Sequence, residues 1–320
     1  MAEFRTYTAI GQREDLSNTI FNIAPTETPV VSSIGKTKAT ATYHEWQTDD
    51  LAAASAGGLI EGADASGASD TPTVRVGNRT QIQGKTVHVS GTLDAVDKAG
   101  RKTETAYQLA KAGQELKRDM EKTILGNVAA SNGTAGSAAR LLGSIQTWLG
   151  TNFVTMTDGV APVGANGTAA RTEGATASAF TEDKLKEVVK SCFENGGNPT
   201  LLVVPPTQKH VVSTFTGIAA QRYEAPAAKA TTIIGAADVY LSDFGTLSVV
   251  PDRFMTADTT PDAEQALVLD PTMASVATLR PFESNLLAKT GDSEKHQMLV
   301  EYTLQVSNEK AHGIVADLAV

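Results

Sequence analysis

Residues 101–126 read RKTETAYQLAKAGQELKRDMEKTILG and form the most regular stretch of the chain. Small or apolar side chains recur there three or four positions apart, at Ala106, Leu109, Gly113, Leu116, Met120 and Ile124. That period predicts a helix that buries one stripe and exposes charged residues on its other faces, with Thr103 as N-cap and Gly126 as stop. At about 1.5 Å per residue the helix is roughly 40 Å long, so we expect it to cross a sheet or lie along a neighbour. A coiled coil is the disfavoured alternative, because small residues interrupt the stripe.

Upstream of this helix the sequence indicates a long β-hairpin. One strand runs from about 39 to 47 (ATATYHEWQ), and the returning strand runs from 73 to 90. Apolar parity along the returning strand switches at Gly84, which predicts a bulge there. Between the strands, residues 51–70 (LAAASAGGLIEGADASGASD) are mostly small and contain no aromatic side chain. A loop of this length is unusual in a compact domain unless it is functional, so we expect a partner chain to support it.

The N-terminal residues 1–36 carry scattered apolar side chains and turn-forming prolines at Pro25 and Pro29, without a sustained period. We interpret this segment as an arm that lies on another surface. A frayed terminus is the alternative interpretation.

Downstream of the long helix, residues 128–178 are rich in Ala, Gly, Ser and Thr and are typical of surface loops. A second α/β unit is predicted from about 180 to 255. Its first helix should follow Thr181, stop at Gly196, and bury a stripe made of Leu185, Val188, Val189 and Cys192.

Short strand patterns fill most of the remaining chain. They occur at 201–204 (LLVV), 238–243 (DVYLSD), 246–251 (TLSVVP), 266–270 (ALVLD) and 298–306 (MLVEYTLQV). The last pattern alternates without a fault at Met298, Val300, Tyr302, Leu304 and Val306. Period-two alternation predicts a strand with one buried face, so the chain is of the α+β class with a terminal sheet.

Charge and composition exclude several classes of function. The chain of 320 residues has 27 basic and 36 acidic residues and a formal net charge of −9, the wrong sign for a protein that grips phosphates. Cys192 is the single cysteine, so no intrachain disulfide forms. No secretory signal and no uninterrupted apolar run of about 18 residues occurs, so we expect no membrane association.

Catalytic, cofactor and metal motifs are incomplete. Gly84-Lys85-Thr86 and Gly35-Lys36-Thr37 lack the upstream glycine of a phosphate-binding loop. Asp243-Phe244-Gly245 spells the metal-binding tripeptide of protein kinases without the other kinase motifs, so a strand turn is the better interpretation. The histidines stand far apart, at His44, His88, His210, His296 and His312. We therefore predict no catalytic, cofactor-binding or metal-binding residues.

Several segments resemble, in their amino-acid sequence and in their order, one subgroup of the major capsid proteins of tailed bacteriophages. The stretches that carry the resemblance are TATYHEWQTD (40–49), VSGTLDAVDKAGR (89–101), AYQLAKAGQELKRDME (106–121), ENGGNP (194–199), DVYLSDFGTLSVVPDRFM (238–255) and LLAKTGDSEKHQMLVEYTLQVSNEKAHG (286–313). The resemblance implies the Hong Kong 97-type capsid fold. Its parts would be an N-terminal arm (1–36), an extended E-loop hairpin (37–92), a P-domain with the spine helix (93–139), an A-domain (140–258) and a return to the P-domain sheet (259–320).

The resemblance also implies a function and partners. The chain would self-assemble into hexamers and pentamers that form an icosahedral head, and the head would enclose the phage dsDNA without binding it specifically. Scaffolding, portal and decoration proteins would be its other partners, and it would lie in the virion after assembly in the bacterial cytoplasm. An encapsulin-like nanocompartment shell protein and a virion decoration or minor structural protein are the alternatives.

Assembly contacts are expected on the parts that one chain cannot bury by itself, which are the arm and the hairpin. The proposed contact residues are Phe4, Ile20, Phe21, Tyr43, Trp46, Leu59, Ile60, Arg75 and Arg79.

Overall fold

The computed structural model of the chain describes residues 25–54, 56–58, 60–62, 64, 71–155, 158–215, 238–255 and 263–319. Residues 1–24 of the predicted arm lie outside this described part, and so do several positions of the predicted hairpin loop. The described residues combine helices with strands, as the α+β prediction requires.

The α-helices of the described part are α1 (Pro29–Ser33), α2 (Gly91–Ala95), α3 (Glu104–Leu125), α4 (Glu182–Glu194) and α5 (Pro206–Val212). Single 3-10 turns occur at Ile145–Thr147, Val163–Ala165 and Glu309–Ala311. The strands are β1 (Gly35–Lys38), β2 (Tyr43–Thr48), β3 (Val74–Arg79), β4 (Gln81–Ser90), β5 (Phe153–Thr155), β6 (Leu201–Val204), β7 (Val239–Ser242), β8 (Gly245–Pro251), β9 (Ala263–Leu269), β10 (Ala274–Leu286), β11 (Ser293–Val306) and β12 (Gly313–Ala319).

The strands group into three separate sheets. A four-stranded sheet has the order β1-β10-β11-β4, in which only β1 and β10 run parallel. A six-stranded mixed sheet has the order β5-β12-β9-β6-β8-β7. Strands β2 and β3 pair with each other as an antiparallel hairpin that belongs to neither larger sheet.

The long helix α3 lies against β4 and β11 of the four-stranded sheet. The predicted stripe is confirmed at Leu116, Met120 and Ile124, all of which are buried. The prediction is wrong at Ala106, which is exposed. The first turn of α3 is instead fixed by polar contacts, because the Glu104 amide donates to Oδ1 of Asp94 in α2 at 2.9 Å. This carboxylate takes the N-terminal capping role that the sequence assigns to Thr103, whose side chain makes no cap hydrogen bond.

Two hydrophobic clusters hold the described part together. The first joins α3, Trp148 and the inner face of β11 to one face of the six-stranded sheet. The second lies on the other face of that sheet, under α4 and α5, and contains the predicted stripe Leu185, Val188, Val189 and Cys192. Because the first cluster includes side chains from both large sheets, the two sheets share one core.

The returning strand of the predicted hairpin is interrupted, but not at Gly84, where the sequence predicts a bulge. It breaks at Thr80, after which β4 leaves the hairpin and pairs with β11. Gly84 carries no bulge, because β4 and β11 stay in continuous register from Gln81 to Ser90. The backbone of the neighbouring strand β11 comes close at this glycine, because a Cβ at position 84 would lie 3.1 Å from the Met298 carbonyl oxygen and 2.5 Å from Cδ2 of Leu299.

The strands after residue 259 also differ from the predicted single return sheet. Strands β10 and β11 do join the four-stranded sheet, but β9 and β12 lie in the six-stranded sheet. Within that sheet β9 pairs with β6 and β12, in the middle of the predicted second α/β unit. Alternation along a strand indicates which face is buried but not which sheet the strand joins, and for that reason the prediction fails here.

Candidate assembly surface

The hairpin of β2 and β3 has a root that packs on its own chain and a tip whose described apolar side chains are exposed. Its strands pair from Tyr43 with Arg79 at the root to Thr48 with Val74 at the start of the tip. We call residues 43–48 and 74–79 the hairpin root, and residues 49–73 the hairpin tip. The tip lies partly outside the described residues.

Trp46 anchors the hairpin root on the subunit core. Its ring centroid lies 5.3 Å from that of Trp148, which is 2% exposed and part of the core shared by the two sheets. On the same side of β2, His44 Nε2 is 3.0 Å from Oε1 of Gln305 in β11. The predicted assembly residue Trp46 therefore packs inside its own subunit, and its role in contacts between subunits stays a prediction.

Asn78 fixes the other strand of the root through both ends of its buried amide. Its Nδ2 donates to the carbonyl of Gly143 at 2.9 Å and to that of Leu304 at 2.8 Å. Its Oδ1 accepts from the amides of Arg79 and Gly143, both at 2.8 Å. Since the residue is 0% exposed, these bonds replace all the water that the amide would otherwise bind.

A charged cluster surrounds Thr80, where β3 ends and β4 begins. The Thr80 hydroxyl donates to Oε1 of Glu301 at 2.9 Å, and Arg140 donates to both the Thr80 carbonyl and the Glu301 carboxylate. Arg280 donates to Oε2 of Glu301 at 2.8 Å. Glu301 is 5% exposed, and its side chain forms ion pairs with both arginines. The cluster fixes the direction in which the hairpin leaves the four-stranded sheet.

The hairpin tip presents apolar side chains to solvent. Leu51 is 98% exposed and Ile60 is 81% exposed, the two highest values among the large apolar side chains of the described part. At its start, Asp50 bonds to the Lys310 ammonium at 2.7 Å, a contact between partly exposed groups. Apolar groups held in water at the end of an anchored hairpin are suited to burial against another molecule.

The remaining predicted contact residues in the described part lie on the outer side of the root. The Arg79 guanidinium lies 5.0 Å from the ring centroid of Tyr43 and also donates to Asn132 at 2.9 Å. Arg75 forms an exposed ion pair with Glu45. Ile60 lies in the tip, whereas Phe4, Ile20, Phe21 and Leu59 lie outside the described residues.

The sequence interpretation missed an apolar surface on the six-stranded sheet. Phe193 of α4 and Phe244 of the β7–β8 turn pack with ring centroids 4.8 Å apart, and both remain partly exposed. Val239 and Leu241 are 59% and 70% exposed on the edge strand β7. A signal was present, because Val239 and Leu241 have the parity opposite to the buried Tyr240, and Phe193 lies off the buried stripe of α4.

Burial favours the uncharged forms of two ionisable groups in the core, Cys192 and His312. Burial raises the pKa of the Cys192 thiol to about 12, which leaves it protonated and unreactive. Burial lowers the pKa of His312 to about 4, and its Nδ1 accepts from the Asp270 amide at 3.1 Å. No group of three or more His, Cys, Asp and Glu side chains in the described part is arranged to hold a metal ion. Among the same residues, no helix is long and apolar enough to cross a membrane.

Solved structures to which this chain is similar include a capsid, a phage chain and an encapsulin complex. The capsid of a native GTA particle matches with a TM-score of 0.62 and 12% identity, over 98% of each chain. A chain of Mycobacterium phage Ogopogo matches with a TM-score of 0.62 and 14% identity, over 99% of this chain and 100% of that one. The holo-SrpI encapsulin complex of Synechococcus elongatus PCC 7942 matches with a TM-score of 0.52 and 9% identity, over 94% and 92%. The fold is therefore that of a Hong Kong 97-type capsid protein.

The sequence assigns the chain to one family within this fold. The family model described as SU10 major capsid protein matches residues 4–319, and the chain belongs to that family. The major capsid protein of Escherichia phage Phieco32 is 40% identical over 123 residues. That match covers 38% of this chain and spans about a third of the curated relative, 35% of its length.

Proposed function

We propose that the chain assembles with copies of itself, as hexamers and pentamers, into the icosahedral head of a tailed phage. The observation that carries the proposal is the division of the hairpin. Its root is fixed in the subunit core by Trp46 and Asn78, while its tip holds Leu51 and Ile60 in solvent at 98% and 81% exposure. Membership of a major capsid protein family supports the same function.

The energetics of such a contact suit a lattice. Burying one Leu or Ile side chain against a neighbour stabilises by roughly 1.5–3 kcal/mol, which is too little to hold two subunits together in dilute solution. In a closed shell every subunit places its own tip on one neighbour and receives the tip of another. Each contact is modest, but the contacts add up through multivalency. Isolated subunits therefore stay soluble until assembly begins.

The domain assignment follows the sheets. In place of the predicted ranges 1–36 and 37–92, we assign 1–34 to the arm and 43–79 to the E-loop, because β1 and β4 pair in the four-stranded sheet. We place that sheet and α3 in the P-domain. The A-domain comprises 140–258 together with β9 and β12, because those strands pair inside the six-stranded sheet.

The expected contents and partners follow from the charge and from the proposed role. A net charge of −9 suits a wall that encloses dsDNA without specific binding. Scaffolding, portal and decoration proteins are the other expected partners, and the virion is the expected location after assembly in the host cytoplasm.

An encapsulin-like shell is the second candidate, since an encapsulin complex shares the fold at a TM-score of 0.52. The two functions differ in what the particle contains: dsDNA and a portal in a phage head, a cargo enzyme in a nanocompartment. A decoration or minor structural protein is the third candidate, and it would bind a preformed lattice without building one.

Electron microscopy of the full-length chain, expressed alone and with a candidate scaffolding protein, tests the proposal. We expect closed shells or tubes in at least one of the two conditions. Monomers under both conditions would contradict the head-forming function, and binding of these monomers to preformed heads would favour the decoration protein. Particles that copurify with one enzyme in place of nucleic acid would favour the nanocompartment.

A further inference from the structure

Two buried carboxyl groups, one of which bonds α1, interact with each other beside α3. Glu121 of α3 is 0% exposed, and Asp252, in the segment after β8, is 1% exposed. Burying two carboxylates next to each other without a cation is strongly unfavourable. A pair of this kind therefore needs either a cationic partner or a proton.

The first carboxyl holds the described start of the chain. Oε1 of Glu121 accepts from the Val30 amide at 2.7 Å, and Oε2 accepts from the Val31 amide at 2.8 Å. Val30 is itself 0% exposed and packs in the core shared by the two sheets. Both oxygens of Glu121 thus bind α1, a helix in the C-terminal part of the predicted arm.

The second carboxyl is bonded on one oxygen only. Oδ1 of Asp252 accepts from the Phe254 amide at 2.7 Å. Oδ2 is buried and has no hydrogen-bond partner among the described residues. A proton on either carboxyl provides the missing hydrogen bond between Glu121 and Asp252.

No cation from the described elements around Glu121 takes the place of the proton. Helix α1 contains no titratable side chain. On α3, one turn before Glu121, the Arg118 guanidinium lies over the ring of Phe254 at 5.5 Å, and Asp119 pairs with Lys85. Lys122 and Arg253 are exposed. Among the charged groups, Asp252 is the one that acts on Glu121.

The titration behaviour agrees with this geometry. Burial is the largest cause that raises the pKa of Glu121, and the neighbouring Asp252 raises it further; together they outweigh the amides of Val30 and Val31, which lower it, and bring it to about 8. Burial also raises the pKa of Asp252. The pair therefore keeps one proton at neutral pH.

We propose that a proton shared by Glu121 and Asp252 holds α1, and with it the root of the N-terminal arm, against the long helix α3. Loss of the proton leaves two adjacent buried charges, and their repulsion loosens α1. The anchor belongs to the single subunit, so it stands whether or not the chain builds shells.

The sign of the pH dependence follows from linkage. Detachment of α1 exposes Glu121 to water, which lowers its pKa towards 4.5 by more than the loss of the two amide bonds raises it, so the attached state binds more protons between about pH 4.5 and 8. The stabilisation is complete below about pH 4.5, decreases as pH rises towards 8, and is absent above it. Measurements above pH 6.5 isolate this group, because the lowered pKa of His312 makes its contribution constant there.

Hydrogen exchange of the full-length subunit, followed by mass spectrometry on the peptide that contains Val30 and Val31, tests the proposal. After correction for intrinsic exchange, the protection factor should fall up to about tenfold per pH unit from pH 6.5 to 8 and level off above. The matched control is Asp119→Asn, which removes an exposed carboxyl two residues away on the same helix and should keep this profile.

Two variants separate the pair from other causes. Asp252→Asn keeps the acceptor for the Phe254 amide and offers an N–H to Glu121. The pH above which the protection factor becomes constant should therefore be lower than in the wild type. Glu121→Gln should abolish the slope and lower the starting protection, because one acceptor oxygen then faces two amides. A flat wild-type profile would overturn the proposal. A wild-type slope that survives unchanged in Asp252→Asn, or in whichever of the two variants folds, would overturn it as well.

Discussion

The root and the tip of the hairpin are parts of one antiparallel ribbon, yet their surroundings are opposite. The root places Trp46 on Trp148 and buries Asn78 at 0% exposure, whereas the tip leaves Leu51 98% exposed. A side chain in the root stabilises the subunit that carries it. The described apolar side chains of the tip, Leu51 and Ile60, are exposed on the single subunit, so we expect their contribution to come from another molecule. The root of the hairpin thus contributes to the stability of the subunit, and we expect the tip to contribute to contacts between subunits.

Substitution of the root tryptophan should have the largest effect on the subunit. Trp46→Ala removes the ring that packs on Trp148, and we expect the free energy of unfolding to fall by about 3 kcal/mol. Urea unfolding of unassembled subunits measures the change. Tyr43→Ala, on the same strand but 38% exposed, is the matched control and should cost about 1 kcal/mol or less. Equal losses in the two variants would mean that the root does not depend on the tryptophan pair.

The charged cluster at Thr80 should have the next largest effect. Glu301→Gln keeps the shape of the side chain but leaves Arg140 and Arg280 without their counter-charge, so we expect a loss of about 2 kcal/mol. Glu294→Gln is the control on the same strand, because that side chain is 51% exposed and should change stability by less than about 0.5 kcal/mol. A loss at Glu301 no larger than at Glu294 would show that the cluster does not fix the hairpin.

The smallest effect is expected on the outer side of the root. Arg75 is 68% exposed and pairs with Glu45. Exposed ion pairs contribute little, so Arg75→Ala should change the free energy of unfolding by less than about 0.5 kcal/mol. A double-mutant cycle with Glu45→Ala measures the coupling directly. A coupling above about 1 kcal/mol would contradict the division between an inner side that stabilises and an outer side that does not.

Local patterns in the sequence predict the elements of the fold well. The helix predicted at 101–126 is confirmed as α3, and the stripe Leu185, Val188, Val189 and Cys192 is buried as predicted. In both cases the period of apolar residues records which face of one element meets the core.

Contacts between distant parts of the chain could not be predicted in the same way. The sequence predicts Trp46 as an assembly contact on the hairpin, and only the fold brings Trp148 beside it. The side that is buried does switch, but at Thr80 and not at Gly84, because the chain changes its partner strand there. Thr80 is held by Glu301, 221 residues away in the sequence. The pairing of β9 and β12 in the six-stranded sheet likewise depends on partners that no local period specifies.

Deletion of Ala52–Asp70 tests the division of the hairpin most directly. The variant removes most of the tip and leaves the root strands, Trp46 and the cluster at Thr80 in place. We expect a folded subunit whose free energy of unfolding stays within about 1 kcal/mol of the wild type but which forms no closed shells under conditions where the wild type does. A deleted subunit that unfolds, or one that still assembles as efficiently as the wild type, would contradict the account.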